Sequence, residues 1–530
     1  MALVTEPDVI IVGSGPAGVS AAWPLVEAGH SVAMLDAAEK AAPDPPDGDI
    51  ETFRRRDDTW RHAFGDDFTG LGFGDEQSPK FATRIGRAVL SANTERPAIE
   101  AQNFTATRSI AAGGLSKLWG AFVTVFDERD LRAFPIGPSD LADSYRAIAA
   151  RIGISGADDD LGPFHGSNLP LQAPDWLLPI GRSLMTRYQN GKKTENFQLG
   201  LARNAVLTRG LEGRSACNKC GLCLYGCARG AIYDSAQDLV PLSKRANFRY
   251  HAASHVIGLR PNGGRGPGVE IRHAGEPQIL NAKALVLAAG TINSSALALG
   301  AAGWAGKSIR LLANPAAAIA FLVPSFLAQP LSGSGFSLGQ LSYRLELGAT
   351  DYATGVVYTA DMLPFSALAS HIPFSRHAAL QLSQVLATAI VIATCYVSGR
   401  FSANHLTLGA ELDGSALHIA GDITPQARRH LGAAVKLLSR AMRRLGAFAI
   451  PGSFSLLNPG ADGHLAGTLP MQADGHDLTT TRDGELRPWK NIFVVDGACL
   501  SDLPAKHCTF TIMANADRIG RVLANRLATI

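Results

Sequence analysis

The sequence lacks a dominant charge of either sign, which excludes one broad class of partner. Its 49 Lys and Arg residues are nearly matched by 46 Asp and Glu residues, so the formal net charge is only +3. Nucleic-acid-binding proteins concentrate basic charge on one surface. Here the short basic run at residues 54–56 is followed at once by two acids. We therefore expect no nucleic-acid partner.

A leader segment and a long apolar run are also missing from the sequence. Residues 1–8 show no basic region followed by an apolar core, so no signal peptide is predicted and a cytoplasmic location is expected. Residues 378–399 carry no formal charge, but their apolar part is too short to span a bilayer. The β-branched end of this segment predicts a buried strand instead of a transmembrane span.

Charged residues are scarce for a chain of this length, and their scarcity excludes a disordered protein. Of the 530 residues, 18% are charged and 46% are hydrophobic. That composition provides enough apolar side chains for large cores. At roughly 150 residues per domain, the length predicts two to four domains.

The first pattern that indicates chemistry is a glycine-rich turn near the N-terminus. Gly13, Gly15 and Gly18 form the pattern G-x-G-x-x-G between an apolar strand and a helix-like stretch. In a dinucleotide-binding unit the first glycine permits the tight turn, and the second lets the backbone approach a pyrophosphate. The third lets the helix pack closely on the strand. A lone pattern of this kind is weak evidence, but the strand before it and the helix after it both agree.

The residues that flank these glycines support the same interpretation. Pro16 and Ala17 open the predicted helix, whose free N–H groups and positive dipole end attract phosphate. Asp36 ends the next predicted strand, where a carboxylate accepts hydrogen bonds from ribose hydroxyls. Pro24 lies inside the helix, and we expect it to bend the helix without ending it.

Further segments match, in order, the motifs of one family of flavoenzymes. They lie at residues 113–120, 285–294, 464–471, 491–497 and 504–514. Together they resemble the glucose–methanol–choline (GMC) oxidoreductases, whose cofactor is FAD. The Gly-Gly-x-Ser-x-x-Trp spelling in the first segment is most similar to the pyranose-oxidase-like branch. Residues 309–457 match poorly, as expected for the part of such an enzyme that faces substrate.

The resemblance implies an α/β fold with two parts. One is a Rossmann-like FAD-binding domain, and the other is a substrate domain built on a large antiparallel sheet. The implied FAD-binding domain is discontinuous and takes residues 1–150, 200–305 and 459–530. The substrate domain takes residues 151–199 and 306–458.

Local sequence patterns within the predicted substrate domain indicate that it contains both strands and helices. Residues 404–420 read as two strands around Asp413-Gly414, a typical hairpin turn. Thr424 followed by Pro425 predicts a helix start, and Gly446 predicts its end.

The resemblance also implies which residues hold FAD. In the family, the loop carrying Gly113, Gly114 and Ser116 lies along the isoalloxazine, and the backbone of Val256 meets the adenine. The remaining residues implied to contact the cofactor are Ala289, Gly290, Asp496, Gly497 and Thr509. In the branch named above, a His before the Trp can carry the flavin covalently. Leu118 occupies that position, so non-covalent FAD is implied.

Two histidines are the implied catalytic residues. Oxidation of an alcohol requires removal of the hydroxyl proton and transfer of a hydride to flavin N5, and a neutral imidazole is well suited to accept the proton. His464 occupies the family's base position, and His507 occupies the partner position, where the family carries Asn or His. His476 lies nearby in a polar loop, and we expect no such role for it.

A dense run of cysteines raises the possibility of a metal site. Four of the seven cysteines, Cys217, Cys220, Cys223 and Cys227, follow the spacing C-x2-C-x2-C-x3-C. This resembles a ferredoxin run, although Ala228 replaces the usual proline and the sequence has no second run. An iron–sulfur cluster, zinc or another metal, and a metal-free turn are the three alternatives.

The sequence thus predicts an FAD-dependent oxidoreductase that acts on a CH–OH group. The branch resemblance favours a sugar, glycoside or polyol as substrate, and oxygen, a quinone or a redox protein as the electron acceptor. A flavin-dependent lyase or photoenzyme on the same fold is the alternative, because a fold does not determine its chemistry. A non-catalytic flavin-binding protein is disfavoured by the two histidines.

Overall fold

The architecture is taken from a computed structural model of the chain. The model describes residues 6–39, 41–65, 79–90, 98–174, 176–262, 266–273, 275–363, 365–369, 372–409 and 416–529.

The strands of the described residues are numbered in chain order. They are β1 (Val9–Val12), β2 (Val32–Leu35), β3 (Ile99–Gln102), β4 (Ile154–Ser155), β5 (Leu171–Gln172), β6 (Phe197–Leu201), β7 (Phe248–His251), β8 (Ser254–Arg260), β9 (Gly268–His273), β10 (Glu276–Asn281), β11 (Ala284–Leu287), β12 (Ser308–Ala313), β13 (Ala316–Leu322), β14 (Leu341–Glu346), β15 (Tyr352–Thr359), β16 (Ile390–Tyr396), β17 (Asn404–Leu408), β18 (Leu417–Ala420), β19 (Phe448–Ala449), β20 (Ser455–Leu456), β21 (Leu465–Ala466) and β22 (Ile492–Val494).

The α-helices of the described residues are numbered in the same way. They are α1 (Pro16–Glu27), α2 (Ile50–Arg54), α3 (Thr59–Phe64), α4 (Pro79–Ala82), α5 (Arg84–Leu90), α6 (Pro138–Ile152), α7 (Gly162–His165), α8 (Pro179–Asn190), α9 (Ala236–Ser243), α10 (Thr291–Ala301), α11 (Phe365–Ala369), α12 (Arg376–Leu386), α13 (Pro425–Arg444) and α14 (Thr509–Ala528).

A parallel sheet in the order β22-β11-β1-β2-β7 forms the first layer. Its central strand β1 is apolar throughout because both of its faces are covered. Val9 and Ile11 pack into a cluster with residues of α1 and α14. Ile10 and Val12 pack on the other side with residues of α10, β12 and β17. This is the Rossmann-like part that the sequence predicts.

A large antiparallel sheet in the order β19-β13-β16-β15-β14-β6 forms the second part, with β20 also paired to β13. Along β13, Ala317, Ile319 and Phe321 enter a core shared with α8 and α13. Ala318, Ala320 and Leu322 face the opposite side of this strand, where they are only partly buried. The α/β fold class with a large antiparallel sheet is therefore confirmed.

Local predictions in this second part are also confirmed. Helix α13 begins at Pro425, and the Thr424 hydroxyl accepts the Ala427 N–H at 3.1 Å. Gly446 follows the helix with φ +78°, a conformation that favours glycine. Strands β17 and β18 pair antiparallel, although the predicted turn at Asp413-Gly414 lies outside the described residues. The uncharged segment 378–399 contains the buried strand β16.

A third sheet, in the order β21-β12-β17-β18-β3, joins residues that the predicted division assigns to both domains. Strand β18 pairs with β3, and β12 pairs with β21. Side chains of β12, β17 and β18 share a core with the parallel sheet. The boundaries of the two domains remain a prediction. Among the described helices, none has both the length and the apolarity needed to cross a membrane.

Helices α1 and α14 pack closely because a glycine faces the proline of α1. Helix α1 continues through Pro24 to Glu27. A Cβ atom placed on Gly520 would lie 2.7 Å from Pro24 Cγ and 2.7 Å from the Ala21 carbonyl oxygen. The missing side chain at Gly520 therefore leaves room for the proline ring within this helix pair.

We predict that Gly520→Ala lowers the free energy of unfolding by about 1–3 kcal/mol, since its methyl group overlaps backbone and ring atoms. Gly432→Ala is the matched control, because Gly432 also lies in a helix but has no atom within 4 Å of its Cβ position. It should raise stability by about 0.5–1 kcal/mol through helix propensity. Thermal unfolding of both variants checks this, and equal midpoints would contradict it.

Candidate active site

A cavity of about 1990 Å³ lies between the carboxyl ends of the parallel strands and one face of the antiparallel sheet. Pockets for one small ligand commonly have volumes of about 300–1,000 Å³. This cavity therefore has room for a cofactor and a second molecule together. Its position also agrees with the rule that open α/β sheets bind ligands at the carboxyl ends of their strands.

The glycine-rich turn after β1 forms one end of the cavity. A Cβ atom on Gly13 would lie 2.5 Å from the Ala288 carbonyl oxygen, and one on Gly18 would lie 2.0 Å from the Gly13 carbonyl oxygen. These two glycines allow β1, α1 and β11 to approach closely. Gly15 differs, because no atom lies within 4 Å of its Cβ position, and it lines the cavity.

Pro16, Ala17 and Asp36 line the same end of the cavity. Pro16 and Ala17 open α1, so the N-terminus of this helix borders the cavity. The Asp36 carboxylate accepts the Ser14 N–H and the Ala38 N–H, each at 2.9 Å. Asp36 therefore fixes the backbone of the glycine-rich turn, in addition to any contact with a ligand.

A second glycine loop lies directly against the first. Gly113 and Gly114 have φ values of +85° and +58°, which L side chains rarely adopt. The Gly114 Cβ position is 3.5 Å from Gly15 Cα, so the two loops abut. Ser116 Oγ donates to the Gly113 carbonyl at 2.6 Å and accepts the Ser235 N–H at 2.9 Å. These bonds hold the loop in its unusual conformation.

Asp496 joins two further loops that border the cavity. Its carboxylate accepts the Gly290 N–H at 2.9 Å, the Ala498 N–H at 3.0 Å and the Ser294 hydroxyl. Burial raises the pKa of Asp496 to about 6, although these hydrogen bonds act in the opposite direction. The carboxylate thereby connects the turn after β11 with the turn after β22.

The remaining residues implied to hold the cofactor also line the cavity. Val256 lies beside a β-bulge in β8. Ala289 precedes the start of α10, Gly497 opens a short 3-10 helix, and Thr509 is the first residue of α14. All four positions border the same space.

The walls fit an extended polar cofactor such as FAD. Gly15 leaves open space where a Cβ atom would otherwise project, and the first turns of α1 and α14 both border the cavity. Thr107 Oγ1 is buried in the cavity wall without a hydrogen-bond partner among the described residues. A ligand rich in donors and acceptors would satisfy it. Leu118 lines the cavity too, at the position where the branch can carry a covalent link.

The rings of His464 and His507 contact each other, and both line the cavity. Their ring centroids lie 5.2 Å apart, and the ring planes are nearly perpendicular at 87°. Tyr396, the last residue of β16, contacts both rings at centroid distances of 5.7 Å and 5.5 Å. The structure therefore brings together the two predicted catalytic histidines, which are far apart in sequence.

The two imidazoles have different electrostatic surroundings. The Nδ1 atom of His464 lies 2.9 Å from Oδ2 of Asp462, whose side chain is 2% exposed. Burial holds the pKa of His507 well below its usual range, and the nearby His464 and His165 lower it further. His507 is therefore neutral at physiological pH, whereas the ring of His464 lies beside a carboxylate.

The backbone around His507 is anchored from the opposite side. Thr124 Oγ1 donates to the His507 carbonyl oxygen at 3.0 Å. The neighbouring Lys506 is fully buried, and its Nζ atom lies 2.7 Å from Asp130 and 3.0 Å from Asp127. These ionic contacts fix the chain just before the start of α14.

Sequence reasoning missed Tyr396 and Asp462. An acid two residues before the motif histidine was a usable signal for Asp462, because such spacing places the two side chains on one tight turn. No local signal identified Tyr396, since its role depends on the pairing of distant strands.

The arrangement of the cysteine run gives no support to a metal centre. None of Cys217, Cys220, Cys223 and Cys227 forms a disulfide bond within the part of the chain that the structure describes. Among the described residues, which include all four, no group of three or more His, Cys, Asp or Glu side chains is arranged to hold a metal ion. The described residues therefore provide no evidence for the iron–sulfur cluster or for zinc.

Three of the four side chains, those of Cys217, Cys223 and Cys227, pack in or against one hydrophobic cluster. Cys223 is buried in the cluster that contains Val206 and Tyr233, and burial raises the pKa of its thiol to about 12. Cys220 packs instead against the cluster around Ile50.

Two family models match the chain. The model described as GMC oxidoreductase matches residues 185–307, and the model described as FAD binding domain matches residues 6–52. The second match contains the glycine-rich turn and Asp36.

Curated relatives align over nearly the whole chain. Paromamine 6'-oxidase from Streptomyces fradiae is 24% identical, and the alignment covers 98% of this chain and 92% of the relative. 2-Methyl-1,2-propanediol dehydrogenase from Mycolicibacterium austroafricanum is also 24% identical, with 99% and 96% covered.

A solved structure has the same fold. Pyridoxine 4-oxidase from Mesorbium loti superposes with a TM-score of 0.63 at 17% identity, and the match covers 97% of this chain and 99% of that one. The fold, the family models and the relatives all agree with the motifs in the sequence. The chain belongs to the GMC oxidoreductase family and is an FAD-dependent alcohol oxidoreductase.

Proposed function

We propose that the protein oxidises a CH–OH group with His464 as the proton acceptor and His507 as the residue that holds the substrate oxygen. The observation that carries this proposal is the perpendicular contact of the two imidazoles at 5.2 Å in the wall of the cavity. A hydroxyl placed between them has a proton acceptor on one side and a hydrogen-bond donor on the other.

Asp462 is placed to orient the ring of His464. A carboxylate beside Nδ1 leaves Nε2 as the nitrogen available to the substrate, and it stabilises the imidazolium that forms when the proton arrives. The neutral His507 ring donates its N–H to the same oxygen as negative charge develops there. Tyr396 contacts both rings and limits their rotation.

We expect fifteen residues to hold FAD without a covalent bond, and all of them except Gly18 and Gly113 line the cavity. They are Gly13, Gly15, Pro16, Ala17, Gly18, Asp36, Gly113, Gly114, Ser116, Val256, Ala289, Gly290, Asp496, Gly497 and Thr509. When bound, FAD supplies the two-electron acceptor that takes the hydride at its N5 atom. Measurement of peroxide during turnover distinguishes oxygen from a quinone or a redox protein as the next acceptor.

The substrate is proposed to be a small-molecule alcohol. The names of the relatives describe an oxidase of paromamine and a dehydrogenase of 2-methyl-1,2-propanediol, both of which carry CH–OH groups. The branch resemblance alone favours a sugar, glycoside or polyol, whereas the many apolar side chains that line the cavity favour a less polar alcohol.

His464→Ala should slow flavin reduction by substrate roughly 100-fold or more, the usual contribution of a positioned general base. His507→Asn should have a milder effect, because Asn still donates a hydrogen bond to the substrate oxygen. Anaerobic stopped-flow absorbance measures both rates. The FAD content should be unchanged in both variants.

His476→Ala is the matched control, since His476 is exposed and its Nδ1 contacts only the Asp477 carbonyl oxygen among the described residues. If both active-site variants reduce flavin at the parental rate, the site assignment is wrong. Release of aldehyde without any electron acceptor would instead indicate the lyase.

Gly15→Ala should affect mainly the binding of FAD, whereas Gly18→Ala should affect mainly the stability of the fold. The Gly15 Cβ position is open, so the variant should fold normally but hold less FAD. Gly18→Ala should lower the melting temperature of the flavin-free protein, because its Cβ meets the Gly13 carbonyl oxygen at 2.0 Å. Flavin-to-protein ratios and thermal unfolding of the stripped proteins test this. A stable Gly18→Ala variant with full FAD would contradict it.

FAD should leave the protein completely on acid or heat precipitation. Leu118 has no nucleophilic nitrogen with which to form a bond to the flavin. The absorbance of the supernatant measures the released cofactor, and yellow colour that remains in the precipitate would contradict the non-covalent assignment.

A further inference from the structure

The part of the cavity beyond the two histidines has a wall made by the antiparallel sheet. Side chains of β13 and β16 alternate between the core and the cavity, and Ala318, Ala320, Ile390 and Ile392 lie on the cavity side. We call these four residues the apolar wall. The pairing of Ala320 with Ile392 places two of them side by side on adjacent strands.

The apolar wall is continuous with the catalytic pair. Thr394 and Tyr396 follow Ile392 at intervals of two residues, so they lie on the same face of β16. Tyr396 contacts both histidines. From Tyr396 to Ile390 the strand covers about 20 Å. A molecule whose hydroxyl lies between the histidines can therefore extend along the wall.

The polar side chain between Ile392 and Tyr396 on β16 is satisfied by the protein, while the hydroxyls of Tyr358 and Ser455 border the cavity at the sides of the apolar wall. The Thr394 hydroxyl donates to the Val356 carbonyl oxygen at 3.4 Å and accepts the Val356 N–H at 3.2 Å. The other apolar side chains that border this part of the cavity are Leu363, Ile372, Leu380, Leu382, Leu386, Ile450 and Leu457.

Several charged side chains that border the cavity are engaged with the protein, and Arg108 borders it just before the second glycine loop. Asp36 and Asp496 bind backbone N–H groups of the cofactor loops, and Asp462 lies against His464. Lys80 donates to the Trp119 carbonyl oxygen at 2.9 Å, beside the second glycine loop. Arg376 is exposed at the start of α12.

We propose that the substrate is an apolar alcohol, with one CH–OH group on a hydrocarbon body that carries no charge and no further hydroxyl. This inference rests on the proposed function and names the substrate class of the same site. A sugar or polyol would bury several hydroxyls against the apolar wall without partners, which is unfavourable. Each methylene buried there is instead favourable.

The wall also indicates the shape of the substrate. Ala318 and Ala320 are small, whereas the neighbouring Ile390 and Ile392 are large, so the surface over β13 is recessed relative to that over β16. The recess would accommodate a branched or cyclic hydrocarbon.

The test compares anaerobic flavin reduction by 1-alkanols of increasing length with reduction by glycerol, D-sorbitol and methyl glucoside. The value of kcat/KM should rise about threefold to fourfold with each added methylene until the wall is covered. The three polyhydroxy compounds should be slower than 1-octanol by about 100-fold or more, which corresponds to the loss of several buried methylenes. Polyhydroxy compounds that match 1-octanol would overturn the proposal.

Two variants test the wall directly. Ile392→Asn places an amide on the wall and should lower the ratio of 1-octanol to ethanol activity about tenfold, roughly the contribution of two methylenes. Ile279→Asn is the matched control, because Ile279 is exposed on β10, and its ratio should equal the parental one. If Ile392→Asn does not fold, Ala320→Leu fills the recess and should slow cyclohexylmethanol more than ethanol. Unchanged ratios in the folded wall variants would overturn the proposal.

A binding measurement separates this inference from the proposed function. 2-Octanone cannot be oxidised at its carbonyl, and it should perturb the absorbance of the bound flavin in the parental protein and in His464→Ala. D-sorbitol should not perturb it. If 2-octanone binds but no alcohol reduces the flavin, the oxidation mechanism fails and the apolar site stands. If D-sorbitol binds and 2-octanone does not, the apolar site fails even when alcohols are oxidised.

Discussion

The close approach of three backbone segments at Gly13, Gly18 and Ala288 is the constraint on which the rest of the site depends. A side chain on either glycine would collide with a carbonyl oxygen, so α1 and β11 take up their positions only because none is present. That approach sets Gly15 against Gly114 and brings the two glycine loops to one end of the cavity. The end of the cavity proposed to hold FAD is therefore shaped mainly by close backbone contacts, and few charged side chains contribute to its shape.

The end of the cavity that contains the two histidines is built differently, from side chains that lie far apart in the sequence. His464 precedes β21, which pairs with β12, whereas His507 precedes α14, which packs on α1. Tyr396 reaches both rings from the end of β16 in the antiparallel sheet. The pair therefore exists only when the parallel and antiparallel sheets are both in place, and Lys506, buried with Asp127 and Asp130, fixes the chain at this junction.

Features with local causes were predictable from the sequence, and features with long-range causes were not. The glycine-rich turn, the helix after Thr424 and the buried strand in residues 378–399 depend on near neighbours, so their patterns indicated them correctly. The spacing of Cys217 to Cys227 was equally regular, but it says nothing about which core each thiol enters. The family motifs indicated both histidines. The contact with Tyr396 and the apolar wall depend on strand register, which no local pattern encodes.

Along β13 and β16, every second side chain enters the hydrophobic core and the others face the cavity. The same strands therefore carry one set of residues that stabilises the sheet and another that contacts the ligand. Ala317, Ile319 and Phe321 hold the sheet against α13, while Ala318 and Ala320 border the cavity. A change at an even-numbered position alters the shape of the cavity and leaves the core packing intact. The sheet can thus diversify its ligands over evolutionary time at little thermodynamic cost, and the same even-numbered positions are the natural choice for an engineer who wishes to alter substrate range.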